Sequence, residues 1–256
     1  MMARRWKKPG EHSRRAWVGT MLVLAAFGLT GVAALGSRSG WWPGPAALQV
    51  VPWAMALAGA GLLIAVLARF GRRASGKGLA IVAILLGAAY LATATNELLR
   101  VRRSPGLLDV STDTVDPPAF ARPLRADLHS GQMGSRRRPG FAMLTPDERW
   151  QAVHHEAYPG LTGLLVKADR PTALRSAEQA AQTLGWTIRR RSATGFEAEA
   201  RTPLFGLVDE VAVRVRTRDG QSRIDVRSVR REGPRDRGQG IRNIHRLLAR
   251  IADRQE

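Results

Sequence analysis

The sequence predicts three N-terminal transmembrane α-helices followed by an α+β domain, in which an antiparallel sheet of about four to five strands is covered by helices on one face. Two observations predict this fold class. Three long uncharged apolar runs occupy the first 103 residues, and about 20 apolar residues suffice for a helix to cross a bilayer. The rest of the chain contains short segments that alternate between apolar and charged side chains, as strands with one buried face do.

The composition divides the chain near residue 103. Residues 1–103 carry 14 basic and two acidic side chains, whereas residues 104–256 carry 26 basic and 19 acidic ones. We therefore predict a membrane domain over 1–103, an irregular, proline-interrupted linker over 104–144 that also contains the first of three sequence motifs, and an α+β domain over 145–256. Cysteine is absent from the sequence, which excludes disulfides and thiolate metal sites.

The predicted membrane spans cover residues 16–35, 46–68 and 79–99, and Glu97 is their one ionisable residue. Buried helices of a soluble protein are an alternative, but three such runs in so short a stretch disfavour it. A cleaved signal peptide is a second alternative. The first run is longer than the roughly 7–15 apolar residues of a signal peptide, which favours a retained helix.

Basic residues beside the spans predict the orientation. With the N-terminus in the cytoplasm, ten Lys and Arg residues flank the spans on the inner side and four on the outer side. Short cytoplasmic flanks of membrane proteins are enriched in these residues. We therefore expect a multi-pass protein of the cell (inner) membrane, with a cytoplasmic N-terminus and a periplasmic or otherwise extracytoplasmic C-terminal domain.

Periodicity and turn signals predict the elements of the C-terminal domain. Thr145-Pro146 marks a helix start, and Asp219-Gly220 marks a hairpin turn. The predicted strands cover residues 161–168, 186–192, 196–202, 211–217 and 224–228. The predicted helices cover residues 146–157, 171–184 and 240–255.

Alternation along the strands also predicts a charged face. Val211, Val213 and Val215 point to the helices, whereas Arg214 and Arg216 point the other way, together with charged residues of the neighbouring strands. Opposite charges on neighbouring strands could pair across a solvated sheet. Alternatively, the charged face could hold an anionic group or a partner.

Three motifs occur in order along the domain. The first is Asp109-Val-Ser-Thr-Asp113 with Asp116-Pro117-Pro118. The second is Phe196-Glu197, then Arg201-Thr-Pro-Leu-Phe-Gly206 with Val208-Asp209-Glu210-Val211. The third is Asp225-Val-Arg227-Ser228 with Arg231, Gly233, Asp236 and Gly238. Together they resemble the opening, central and closing motifs of the domain of unknown function 1499 family (DUF1499), over roughly residues 107–251. Arg230 and Gly240 depart from the family pattern, which often has Ser and Asn there. The resemblance implies no mechanism, since the family has no established biochemical activity, and some members carry N-terminal membrane helices.

The motifs predict one charged cluster in the folded domain. Its five members are Asp113, Asp116, Asp209, Arg227 and Arg231. Such a cluster would be either a structural ion-pair lock or a polar ligand site. Buried charges persist when they are paired, which favours the lock.

Motifs for a nucleophilic serine, a phosphate-binding loop or a zinc site do not occur in the sequence. We therefore assign no catalytic residue, no cofactor-binding residue and no metal ligand, and we expect no cofactor. His154 and His155 are adjacent on a predicted helix, where their side chains point about 100° apart and seldom share a metal.

The sequence favours a binding or structural module of the cell envelope over an enzyme. The alternative is an envelope hydrolase that uses carboxylates of the opening and central motifs, for instance Asp113 with Asp209. The expected partners are membrane lipids, with other envelope proteins or anionic ligands as further candidates. Nucleic acid is not expected, because 14 of the 40 basic residues flank the spans and no basic strand is interleaved with aromatic residues.

Overall fold

The computed structural model describes residues 14–70, 76–123, 140–230 and 238–254. The chain divides into two compact units, namely Met1–Leu99 with Leu204–Gly206, and Arg100–Pro203 with Leu207–Glu256. The first unit is helical and the second contains a β-sheet, so each is described by itself.

In its described residues, the first unit has the helices α1 (Arg14–Arg38), α2 (Gly44–Leu48), α3 (Val51–Arg69) and α4 (Lys77–Arg103). Three stretches are long and apolar enough to cross a membrane: Arg14–Arg38, Gly44–Arg69 and Lys77–Arg103. The prediction of three long apolar N-terminal helices is confirmed. The helices extend beyond the predicted apolar runs because the flanking arginines and lysine continue the helical backbone.

Small residues let α1 and α3 approach closely. A Cβ atom added to Gly61 would lie 2.7 Å from the carbonyl oxygen of Gly19, so the two backbones touch at this point. Ala58 of α3 is fully buried in a cluster with Tyr90 of α4. The Tyr90 hydroxyl lies 2.6 Å from the hydroxyl of Thr30, which gives this polar group a partner inside the bundle.

The described residues of the second unit form one sheet, and the strand pairings within it are antiparallel. Its strands are β1 (Asp109–Ser111), β2 (Leu164–Val166), β3 (Thr187–Ser192), β4 (Gly195–Arg201), β5 (Val208–Arg218) and β6 (Gln221–Val229). The strand order is β1-β6-β5-β4-β3. Strand β2 also pairs with β6, at residues 222–224, whereas β1 pairs with residues 227–229 of the same strand. The predicted antiparallel α+β fold is confirmed.

The described residues of this unit also form three α-helices, α5 (Pro146–Ala157), α6 (Arg170–Thr183) and α7 (Gln239–Ala252), and a short 3-10 helix at Phe141–Met143. The predicted start of α5 is confirmed, because Thr145 and Glu148 cap each other's backbone N–H groups. Helices α6 and α7 cover one face of the sheet, where Ala177 and Leu247 are fully buried with the apolar rows of β4, β5 and β6. This layer forms the hydrophobic core.

The segment predicted as an irregular linker contains strand β1. Asp109–Ser111 pairs with the end of β6, and its other edge is covered by α5. The indole Nε1 of Trp150 donates to the Asp109 carbonyl oxygen at 2.9 Å, and the Ser111 N–H donates to His154 Nε2 at 3.2 Å. A strand of three residues is too short to show a periodic pattern, which is why the sequence did not predict it.

Candidate functional site

The charged face of the sheet is crossed by residues 112–121, which we call the cover segment. At one end, Thr112 exchanges two hydrogen bonds of 2.9 Å with the backbone of Val226 in β6. At the other end, the Ala121 N–H donates to Glu197 of β4 at 2.7 Å. The cover segment therefore runs from β6 across β5 to β4, and it removes part of the charged face from solvent.

Arg227 forms a buried ion pair beneath the cover segment. Its Nε and Nη2 atoms donate to the two carboxylate oxygens of Asp109 at 2.9 and 2.6 Å. Asp109 is fully buried and Arg227 is 6% exposed. The guanidinium also lies 5.9 Å from the ring centres of both Phe120 and Trp150. This geometry is bidentate and enclosed, which is the arrangement in which an arginine–carboxylate pair is strongest.

A second group of charges lies further along the same face. Arg216 donates to Asp113, Asp116 and Asp225 at 2.7, 2.9 and 2.7 Å. Arg214 lies 3.1 Å from Asp116 and 3.5 Å from Asp113. Two arginines of β5 therefore bind the two acidic residues of the cover segment to the sheet.

The pKa of Asp113 lies below its ordinary value. Burial opposes ionisation of the carboxyl group, but hydrogen bonds from the Asp116 N–H, the Arg216 guanidinium and the Val115 N–H outweigh it. The pKa of Arg216 is raised, because its hydrogen bonds to Asp113 and Asp225 outweigh the effect of burial. The network therefore holds this carboxylate and this guanidinium in their charged forms.

A third charged group lies on the opposite face of the sheet, against α7. Asp209 accepts from Arg230 Nε at 2.7 Å and from Asn243 Nδ2 at 2.9 Å. The Asn243 amide also donates to the Ser228 hydroxyl at 3.4 Å. Asp209 and Arg230 are 1% and 2% exposed, so this group closes the end of the core with a buried ion pair.

The five residues of the predicted cluster are therefore distributed over different places. Asp113 and Asp116 lie together, Arg227 lies on the same face but pairs with Asp109, and Asp209 lies on the opposite face. Arg231 lies outside the described residues. The interpretation of these residues as a ligand or ion-pair cluster stays a prediction.

The predicted cluster did not include several partners of these charges: Asp109, Arg214, Arg216, Arg230, Asn243, and Asp225 with its neighbour Arg223. Strand alternation could have identified one of these partners. Arg230 is an even number of residues away from Ile224 and Val226, so its side chain is expected on the same face of the sheet as these two core residues. Asp209 is likewise an even number of residues away from Val211 and Val213 in β5, whose side chains are also in the core. Their common parity indicates that Asp209 and Arg230 share the helix-covered face.

His154 is a buried titratable group next to the Arg227 pair. It is 2% exposed, and its Nε2 accepts a hydrogen bond from the Ser111 N–H of β1. Burial lowers the pKa of His154 to about 4, the Asp109 carboxylate opposes this shift, and His155 adds to it. The neutral imidazole is therefore the form that fits, since a protonated Nε2 would place a donor against a donor.

The domain should lose stability at mildly acid pH because of His154. Unfolding restores the ordinary pKa of about 6.5, so the unfolded chain binds the extra proton first. We expect the free energy of unfolding to be unaffected by this group above pH 6.5 and to fall by about 3 kcal/mol as the pH drops toward 4. Urea unfolding of a fragment of residues 104–256 at several pH values measures this loss.

The variant His154→Gln retains an acceptor for the Ser111 N–H but does not titrate, so its loss of stability over this pH range should be smaller. His245 is exposed on α7, and His245→Gln serves as the matched control for the replacement of a histidine away from this buried position. An identical pH dependence in His154→Gln and the wild type would contradict the assignment.

Comparison with known protein families gives a match within the sheet-containing unit. The family model described as "Protein of unknown function (DUF1499)" matches residues 109–251, from the start of β1 to the last turn of α7. A search of curated proteins gives no match. The matched region exceeds half of the chain and includes all three charged groups, and it confirms the resemblance of the three motifs. The chain therefore belongs to the DUF1499 family.

Proposed function

We propose that this protein is anchored in the cell (inner) membrane and presents its DUF1499 domain outside the cytoplasm as a binding or structural module of the cell envelope. One observation carries the proposal: the carboxylates of the opening and central motifs are engaged by arginines. Asp109, Asp113 and Asp209 accept hydrogen bonds from Arg227, Arg216 and Arg230, respectively. Carboxylates held in this way fasten segments of the fold to one another.

The same geometry disfavours the hydrolase alternative. A general acid and a general base must reach the same substrate from one open cleft, with pKa values suited to proton transfer. Asp113 and Asp209 lie on opposite faces of the sheet, and each is paired with a different arginine. The lowered pKa of Asp113 also makes it a poor proton donor near neutral pH.

The helical unit supports the membrane anchor. Three of its helical stretches are long and apolar enough to span a bilayer, and exposed side chains such as Trp53, Leu63 and Leu85 suit contact with lipid. The excess of basic residues in the flanks supports a cytoplasmic N-terminus. Membrane lipids are the proposed partners of this unit.

The proposed orientation predicts the behaviour of reporter fusions. A reporter that is active only after export should be active when fused after Glu256, and a reporter that is fluorescent only in the cytoplasm should be dark there. The same pair fused after Phe70, between the second and third spans, should give the opposite result. A fluorescent, non-exported fusion after Glu256 would overturn the extracytoplasmic placement of the domain.

A further inference from the structure

The charged face contains a groove of about 210 Å³ beside the cover segment. It is lined by Pro118 and Ala119 of the cover segment, by Arg190 and Ser192 of β3, and by Arg214 of β5. Pockets for drug-sized ligands usually measure about 300–1,000 Å³. The groove therefore has room for a small chemical group and not for a large cofactor.

A glycine leaves the middle of the groove open. Gly195 of β4 lies between Ser192 and Arg214 in the strand register, and it lines the groove. A Cβ atom at this position would clash with the carbonyl oxygen of Val213. The backbone therefore requires glycine here, and the strand pair has no side chain that fills the space between β3 and Arg214.

The groove contains guanidinium groups that the fold does not fully engage. In the described part of the chain, the exposed Arg190 has no hydrogen bond or ion pair, although its neighbours Arg189 and Arg191 pair with Glu199 and Glu178. The Nε atom of Arg214 is buried and has no hydrogen-bond partner among the described residues. Arg190 therefore has unused donors, whereas the terminal nitrogens of Arg214 already contact Asp113 and Asp116 and only its buried Nε is unused within the described ranges.

One carboxylate also lines the groove, and it belongs to Glu197. Its Oε1 accepts the Ala121 N–H at 2.7 Å, so it is used to hold the end of the cover segment. Three arginines line the groove, namely Arg190, Arg191 and Arg214. Arg191 pairs with Glu178 and Arg214 with Asp113 and Asp116, so, among these described arginines, Arg190 is the cation that Glu197 and these carboxylates leave available.

We propose that this groove binds a small anionic group, a phosphate or a carboxylate, through the guanidinium of Arg190, with Arg214 contributing positive charge to the wall of the groove. Guanidinium groups suit such oxyanions because they donate two parallel hydrogen bonds. The site lies apart from the Asp109–Arg227 and Asp209–Arg230 pairs, whose arginines are already engaged. This inference rests on the proposed binding role of the domain and not on its orientation. A reporter result that overturns the orientation therefore leaves the binding test valid, and a negative binding result leaves the orientation untouched.

The test uses the full chain in a neutral detergent. In one arm, inorganic phosphate is titrated at constant ionic strength against the wild type, Arg190→Gln and Arg246→Gln. Arg246 is an exposed arginine of α7, and its variant controls for the loss of one positive charge. In the other arm, native mass spectrometry counts the phosphatidylglycerol molecules that each protein retains after exposure to mixed micelles with phosphatidylcholine. Melting temperatures show whether each variant is folded.

We expect Arg190→Gln to lose about tenfold in phosphate affinity or to lose one phosphatidylglycerol, with Arg246→Gln unchanged. Loss in the phosphate arm indicates a soluble anion, and loss confined to the lipid arm indicates a headgroup. Either result supports the site. Equal behaviour of the two variants, or no saturable binding by the wild type in either arm, would overturn it.

Discussion

Replacing Arg227 with alanine should destabilise the DUF1499 domain by roughly 3–5 kcal/mol. The variant leaves the fully buried Asp109 carboxylate without the guanidinium that donates to both of its oxygens. Removing one partner of a buried pair is costly because the remaining charge stays desolvated. Since small domains are stable by only about 5–15 kcal/mol, the loss should be visible in urea unfolding of residues 104–256, followed by the fluorescence of Trp150 and Trp186.

The matched control for this variant is Arg246→Ala, which removes an exposed arginine from α7. Its effect should stay within about 0.5 kcal/mol, as is usual for surface substitutions. A loss below about 1 kcal/mol for Arg227→Ala would mean that its pair with Asp109 contributes little.

Replacing Asp209 with alanine should cost a similar amount, roughly 3–5 kcal/mol. The variant leaves the buried Arg230 without its carboxylate, and the Asn243 amide loses an acceptor at the same time. The expected effect is larger than that of losing one neutral hydrogen bond, about 1 kcal/mol, because a buried charge loses the carboxylate 2.7 Å from its Nε. Urea unfolding of the same fragment measures it.

Asp253→Ala provides the comparison, since Asp253 is exposed at the end of α7. Asp209→Asn should fall between the wild type and Asp209→Ala, because the amide oxygen can still accept one of the two hydrogen bonds. Equal stabilities of Asp209→Ala and Asp253→Ala would contradict a buried pair at this position.

The sequence predicted the elements of the fold well because their signals are local. The three apolar runs, the capping residues Thr145 and Glu148, and the Asp219-Gly220 turn are each recognisable within a few residues. The turn illustrates this, since Asp219 and Gly220 both adopt positive φ in the β5–β6 hairpin. Strand β1 escaped prediction because a three-residue strand is defined by its partner, β6, and not by its own pattern.

The partners of the charged residues were harder to predict, because they depend on the path of the cover segment. The sequence placed Arg227 on the charged face, but it did not indicate that β1 would place Asp109 beside it. Alternation did carry the information that Asp209 and Arg227 face opposite sides. The resemblance to the family motifs led us to place Asp209 and Arg227 in one cluster. Their positions along the alternating strands instead put the two side chains on opposite faces of the sheet.

We expect the motif charges to form separate locks on the two faces of the sheet. Double-mutant cycles on the fragment of residues 104–256 test this arrangement, since they isolate the coupling between two side chains. Asp109→Asn with Arg227→Gln should give a coupling energy of at least about 1.5 kcal/mol, whereas Asp209→Asn with Arg227→Gln should be additive within about 0.5 kcal/mol. Additive effects for Asp109 and Arg227, or strong coupling between Asp209 and Arg227, would contradict the account.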